Sequence, residues 1–197
     1  MIEGRKVGIR ALEKTDMDEI MKWINDPEVM ENLLMRYPVS RYQEEKWIEK
    51  ALDEGNLRNK VFALETKDRI YLGGIGLHRI DWENRNAEVG IVIGKKEHWN
   101  KGYGTDAMMT MLDFAFNQMN LHRVYLRVYE YNERGIKSYE KCGFKKEGVL
   151  RDDRYIRGEY HDTIIMGILK DEFKKFQTNN KSGNVLNKRE SQPFSGG

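Results

Sequence analysis

AEVGIVIGKKEHWNKGYGTDA, residues 87–107, is the stretch whose reading decides the fold. It reads as an apolar strand, a short basic turn, two glycines one residue apart and the start of a helix. Glu88 to Ile93 is rich in β-branched residues, which predicts a strand buried on both faces. Gly102 and Gly104 free the backbone for a turn and for close approach to a ligand. The helix that follows offers unpaired N–H groups and the positive end of its dipole at that turn. An anion such as a pyrophosphate suits that position. Lys95, Lys96 and Lys101 add positive charge around it.

Two readings of the turn compete on the letters alone. Gly102-Tyr103-Gly104-Thr105-Asp106-Ala107 fits G-x-G-x-x-A, the dinucleotide fingerprint, and a Gly-rich turn without a ligand fits the same letters. A P-loop is excluded, because no Gly-Lys-Ser/Thr follows at the required spacing.

Working outward, Val7 to Leu12 forms a first strand. Thr15 with Asp18 resembles a capping box, and Met17, Ile20, Met21 and Ile24 follow at helical spacing, closed by Asn25-Asp26-Pro27. Ser40 with Gln43 opens a second helix, whose apolar face is Trp47, Ile48, Ala51 and Leu52 and which Gly55 ends. Residues 28–39 between the helices are longer and more apolar than a turn requires. They form either a wall of a substrate pocket or a short helical piece packed on the core. Val61–Glu65 and Ile70–Ile80 read as antiparallel strands turning at Lys67-Asp68.

Downstream of the glycines, Met108, Met111, Leu112, Ala115 and Met119 mark one helix face as core. Arg123–Tyr129 is a strand and Asn132–Lys141 a helix stopped by Gly143. Phe144–Leu169 is a hairpin turning at Arg157-Gly158. From about Gln177 the composition turns polar, which predicts one domain over residues 1–176 and a disordered tail over 177–197. The element order gives a mixed α/β layout without the repeated βαβ units of a doubly wound fold, which argues against a dinucleotide site. Glu130, the available ribose-binding acid, lies beyond the usual spacing of about 20 residues.

Composition narrows the class. A formal charge of +2 over 197 residues gives no electrostatic case for a nucleic-acid or membrane partner. No run approaches the ~18 apolar residues of a membrane span, and MIEGRKVGIR has no apolar signal core. The single cysteine, Cys142, excludes an intramolecular disulfide and points to a cytoplasmic protein. It reads as a helix-end packing residue. His78, His98, His122 and His161 show no zinc spacing, so no metal is expected; each reads as structural or exposed, with His98 also within reach of a phosphate.

Three motifs, W-N-K-G-Y-G-T-D-A (99–107), N-E-R-G-I-K-S-Y-E-K-C-G-F (132–144) and E-G-V-L-R-D (147–152), follow one another in this chain. In that order and spacing they resemble the GNAT superfamily of N-acetyltransferases. The likeness is to the branch of ribosomal-protein N-terminal acetyltransferases and bacterial spermidine acetyltransferases, and it covers roughly Arg5 to Phe173. It implies the acyl-CoA N-acyltransferase fold: a central, mostly antiparallel sheet flanked by helices and splayed at its two central strands. It also implies acetyl-CoA as cosubstrate and direct transfer to a primary amine in a ternary complex.

The family's phosphate motif is Q/R-x-x-G-x-G/A. Gly102 and Gly104 match its small residues, whereas Trp99 stands where Gln or Arg is usual. That departure removes one side-chain contact and leaves the backbone cradle of Trp99, Asn100, Lys101, Gly102, Tyr103, Gly104 and Thr105. The resemblance further implies that Ile91, Val92 and Ile93 pair with the pantetheine arm as an added strand would. Asn132 and its helix, including Lys137, form a second coenzyme segment. Tyr139 matches the family's general acid; read by itself it is a core aromatic with a tied-off hydroxyl. Glu88 matches a position where relatives carry an acid, and is either the base or half of an ion pair with Arg79 or Arg85.

The acceptor stays open between a small amine or polyamine and a protein N-terminus. A polyamine needs several carboxylates, and Glu28, Glu31, Glu44, Glu45 and Glu88 are the candidates. Spermidine-acetylating relatives carry an acidic pair after the first helix region, where this chain reads Leu34-Met35-Arg36-Tyr37-Pro38. A non-catalytic acetyl-CoA sensor is the alternative class, against which Tyr139 and Glu88 speak. Dimers are common in the superfamily, so a homodimer or higher homo-oligomer is what the resemblance allows.

Overall fold

The computed structural model describes residues 1–33, 37–53 and 55–189. Leu34, Met35 and Arg36 of the inter-helix segment and the last part of the expected tail, 190–197, lie outside the described residues. The strands are β1 (Ile2–Glu3), β2 (Val7–Ala11), β3 (Lys60–Thr66), β4 (Tyr71–Asp81), β5 (Asn86–Ile93), β6 (Arg123–Tyr129), β7 (Lys145–Ile156) and β8 (Glu159–Leu169). The helices are α1 (Met17–Met21), α2 (Pro27–Met30), α3 (Arg41–Ala51), α4 (Tyr103–Asn117), α5 (Glu133–Glu140) and α6 (Lys170–Arg189).

One mixed sheet runs in the order β1-β2-β3-β4-β5-β6-β8-β7. Neighbours are antiparallel except β5 and β6, which α4 links as parallel strands. That pair holds register only from Asn86↔Arg123 to Glu88↔Tyr125. Beyond it β5 stays with β4 as far as Gly73↔Ile93, while β6 stays with β8 as far as Tyr129↔Thr163. The central strands therefore splay after Glu88, as the resemblance implied. Ala87 to Val89 are buried, but Gly90 to Ile93 are only partly so. The expectation of a strand buried on both faces fails at its second half, because the sheet opens there.

Both faces of the sheet are covered. Ala107, Met108, Met111, Leu112, Ala115 and Phe116 of α4 are each at most 1% exposed. They pack on Val7, Leu72, Val124 and Leu126 with Phe173 of α6. Full burial of the Met108, Met111, Leu112 and Phe116 side chains is worth about 1.5–3 kcal/mol each, so the α4 stripe anchors the helix that opens at the glycine turn. On the other face Ile20, Trp23, Ile24, Val29 and Ile48 pack over Leu12, Ala63 and Tyr71.

The N-terminal helical segment departs from its expected form. A 3-10 turn spans Lys14–Asp16, with Asp16 Oδ2 accepting from the Glu13 N–H at 2.9 Å, so the start lies upstream of Thr15. Asp26-Pro27 opens α2 instead of only closing α1: Asp26 Oδ1 accepts from Glu28 N–H at 2.9 Å and Pro27 occupies the first turn, where its missing N–H is harmless. The Ser40–Gln43 capping box forms as read, with bonds of 3.2 and 2.9 Å. α3 ends at Ala51, ahead of Gly55. At the other end α6 runs from Lys170 to Arg189, and Phe173 docks its first turn on the core.

Asp106 ties the two ends of this layout together. Its carboxylate accepts from the backbone N–H groups of Arg5, Lys6 and Val7 at 3.2, 2.7 and 3.1 Å, pinning β2 to the first turn of α4. Hydrogen bonds to a charged group contribute roughly 1.5–3 kcal/mol each, less where solvent competes. Asp106→Ala is expected to lower unfolding free energy by about 2 kcal/mol in urea denaturation; a change under about 0.5 kcal/mol would mean the three bonds are solvated equivalents.

Candidate active site

Two cavities adjoin at the splay. One, of about 700 Å³, is lined by Ile91 to Ile93, His98, Trp99, Asn100, Gly102 to Thr105 and the first turns of α5. The other, of about 830 Å³, lies under α1 and α3 and includes Leu12, Trp23, Glu44, Trp47, Tyr71, His78 and Glu88. Ile91, Val92, Asn132 and Tyr139 line both.

The first cavity has the features of a phosphate and peptide-like site. Gly102 takes φ +81° at the α4 N-cap, a conformation that disfavours any side chain. A Cβ at Gly104 would meet nothing within 4 Å, so the space above the first turn is open. Beyond Glu88 the edge of β5 that faces β6 has no strand partner among the described residues. His98 lines this cavity, and its Nδ1 is buried without a hydrogen-bond partner among the described residues. These are groups a coenzyme's pyrophosphate and amide-bearing arm would satisfy.

Asn132 caps α5 by accepting from Gly135 N–H at 2.9 Å. Thr105 and Ser138 hydroxyls share a hydrogen bond of 2.9 Å that ties α4 to α5; Ser138 was not singled out in the sequence. Trp99 Nε1 donates to the Ile93 carbonyl at 2.7 Å, and the Arg134 guanidinium lies 3.8 Å from its ring centroid. A cation thus returns beside the position where the family motif carries Gln or Arg, and no local sequence signal pointed to it.

Several expected cations are engaged elsewhere. Lys95 pairs with Glu19 at 3.3 Å, and Lys96 with Asp26 and Glu28 at 2.8 and 3.0 Å. Lys101 is exposed and outside the cavity lining, its carbonyl accepting from Lys6 Nζ at 2.8 Å. Lys137 is at the rim, paired with Glu133 at 2.9 Å.

Tyr139 projects from α5 to the junction of the cavities. Its ring is edge-on to Phe144 at 6.1 Å, and among the described residues its hydroxyl has no partner. The tied-off core aromatic is therefore not what forms. Burial, with a smaller effect of Cys142, pushes this phenol up to about 12, so it carries its proton at neutral pH. Cys142 is fully buried, and burial pushes its thiol up to about 12 as well; its Sγ contacts the Thr105 carbonyl at 3.6 Å. A protonated, enclosed thiol is a packing group and no nucleophile.

Glu88 faces the larger cavity at 8% exposure, held by Arg79 at 2.7 Å and Arg127 at 2.8 Å. The ion pair with Arg79 forms, and Arg127 replaces Arg85, whose carbonyl instead accepts from His122 and Arg123 N–H groups. Across from Glu88 on β4 is His78, Cα partner in the register. Its ring lies over Gly76, where a Cβ would come within 2.9 Å of Nε2. Burial lowers the His78 pKa despite the opposing pull of Glu88, so the imidazole is neutral near pH 7. Sequence reading had set this residue aside.

A sheet splayed beside a glycine-opened helix, with a second cavity meeting the first at a free phenol, defines an acyl-CoA-dependent N-acyltransferase. The family model described as Acetyltransferase (GNAT) domain matches residues 6–145, and the chain belongs to that family. It is an N-acetyltransferase, with acetyl-CoA as cosubstrate. The chain is 31% identical to the spermidine N(1)-acetyltransferase of Vibrio cholerae, over 84% of this chain and 94% of that protein. It is 29% identical to the uncharacterized N-acetyltransferase p20 of Bacillus licheniformis, over 85% and 95%. The crystal structure of spermidine N-acetyltransferase from Vibrio cholerae in complex with CoA and spermine superposes with a TM-score of 0.79 at 30% identity, covering 85% of this chain and 97% of that one.

Proposed function

We propose that this enzyme acetylates a primary amine by direct attack on the thioester of acetyl-CoA, with the coenzyme in the smaller cavity and the amine in the larger. The observation that carries the reading is the unpartnered Tyr139 hydroxyl at the junction of the two. The N–H groups opening α4 and the free edge of β5 hold the coenzyme, with Trp99, Asn132, His98 and Arg134 around them. A bound amine with a pKa of about 10 arrives protonated and has to lose that proton before attacking.

His78 takes the proton, and the charge of Glu88, its partner across the strand pair, favours the imidazolium electrostatically. Glu88 itself has both oxygens committed to arginines, which makes it the weaker base candidate. The amine nitrogen then bonds to the carbonyl carbon, a β5 backbone N–H stabilises the oxyanion, and the C–S bond breaks. Tyr139 donates to the leaving sulfur and recovers a proton from the second N–H that the nitrogen sheds as the amide forms; net, one ammonium and one thioester give one amide, one thiol and one proton. The buried lone thiol of Cys142 suits a cytoplasmic setting. A spermidine-type acceptor, as in the Vibrio cholerae relative, is one candidate among small amines, and a protein N-terminus is another.

Acetyl-CoA-dependent thiol release across monoamines, diamines, spermidine, spermine and peptides with free N-termini tests this reading. Turnover of one amine class is expected. Binding of acetyl-CoA with no turnover anywhere in the panel would instead favour a sensor. For the base, protonation of His78 removes it, so kcat/KM should fall as pH drops through the His78 pKa, which lies below the ordinary value of about 6.5. His78→Gln should lower kcat/KM about 100-fold and flatten that acid limb. Glu88→Gln should shift the limb to lower pH; an unshifted limb in Glu88→Gln, or an intact one in His78→Gln, would reassign the base.

A further inference from the structure

The acidic candidates for the acceptor site separate once their partners are known. Glu28 is paired with Lys96 and Glu31 with Arg157. Glu88 is held by two guanidiniums, and Glu45 is exposed and lines neither cavity. Glu44 differs from all of them. It is 5% exposed, lines the acceptor cavity, and among the described residues has neither a side-chain hydrogen bond nor an ion pair. The same cavity is lined by the buried Leu12, Ile20, Trp23 and Tyr71, each at most 7% exposed, and by the exposed Trp47, with Arg79, Glu88 and Arg127 also in its lining.

A carboxylate in such a place is unfavourable for the protein alone. Desolvation raises its pKa; the Tyr71 phenol is raised too, chiefly by burial and then by Asp16, with Glu44 adding a smaller push. Its place in the first turn of α3 gains something from the helix dipole, but one surface-strength dipole contact offsets little of a buried charge. A bound cation would compensate it fully, and the aromatic walls would hold such a cation by their ring faces.

We propose that Glu44 is the specificity anchor of the acceptor site, binding a second cationic group of an amine whose apolar body lies against Leu12, Ile20, Trp23 and Tyr71. The inference rests on the acetyltransferase reading above and narrows its acceptor to an amphipathic diamine: one amine delivered to the thioester, one ammonium on Glu44, hydrocarbon or an aromatic ring between. A linear polyamine fits less well, because its internal ammonium would lie among apolar walls. Glu88, the other carboxylate of the cavity, meets it already neutralised by Arg79 and Arg127.

The test compares hexylamine with 1,6-diaminohexane, and benzylamine with p-xylylenediamine, against wild type and Glu44→Gln. Both turnover and calorimetric binding in the presence of CoA are read. In wild type each diamine should bind at least ~10-fold tighter than its monoamine, and spermidine should bind more weakly than 1,6-diaminohexane. Glu44→Gln should erase the diamine advantage, leave acetyl-CoA affinity unchanged, and keep or raise the melting temperature, since a buried carboxylate without a partner among the described residues is removed. Equal effects on monoamine and diamine, a fall in melting temperature without loss of the preference, or no binding of any diamine would overturn the anchor. Turnover without diamine preference would sink the anchor and leave the enzyme reading standing. Diamine preference without turnover would do the reverse.

Discussion

Tyr139→Phe should lower kcat at least ~100-fold while leaving the dissociation constant for acetyl-CoA within about twofold. The substitution removes one oxygen that has no partner among the described residues, so the fold loses no hydrogen bond, and the ring keeps its packing on Phe144. Any loss of turnover is then a loss in the transition state. The phenol at about 12 is a weaker acid than an ordinary thiol at about 8.5. It therefore acts as a hydrogen-bond donor to the developing thiolate, and parts with its proton late if at all. A thiol-trap assay for kcat and calorimetry for coenzyme affinity read the two quantities separately. A parallel loss of both would make Tyr139 a packing residue.

Gly104→Leu should raise the acetyl-CoA dissociation constant at least ~100-fold without destabilising the protein, because the added side chain fills the space proposed for the coenzyme. No protein atom lies within 4 Å of the new Cβ. A helical glycine is about 0.5–1 kcal/mol less favourable than alanine, so the melting temperature should hold or rise. Opposite signs in stability and affinity are the signature of a glycine kept open for a ligand. Gly102 gives no such clean answer, since its φ of +81° strains any replacement. Unchanged affinity in Gly104→Leu would remove the α4 N-terminus from the coenzyme site.

What the chain disclosed by sequence alone was local. The Ser40–Gln43 box, the methionine stripe of α4, the Arg157-Gly158 hairpin turn and the glycines before α4 each depend on residues within a few positions of one another. The motifs over 99–107 and 132–144 carried the family, and with it the splay that no periodicity encodes. Errors arose where distant partners decide. By position Lys96 added positive charge around the glycine turn, until Asp26 and Glu28, some 70 residues earlier, claimed it. Asp26-Pro27 looked like a stop because a cap and a terminator share the same residues. His78 carried no local signal, and nothing local set Glu44 apart from the other candidate acids: one gains meaning from Glu88 across a strand pair, the other from having no partner among the described residues in a largely apolar cavity.

Initial rates of thiol release, with acetyl-CoA and the fastest amine of the panel varied together, test the central claim most directly. Transfer in a ternary complex, with two substrates meeting at Tyr139, predicts intersecting double-reciprocal lines and no acetylated protein when acetyl-CoA is supplied alone. Parallel lines with a trapped acetyl-enzyme would contradict it.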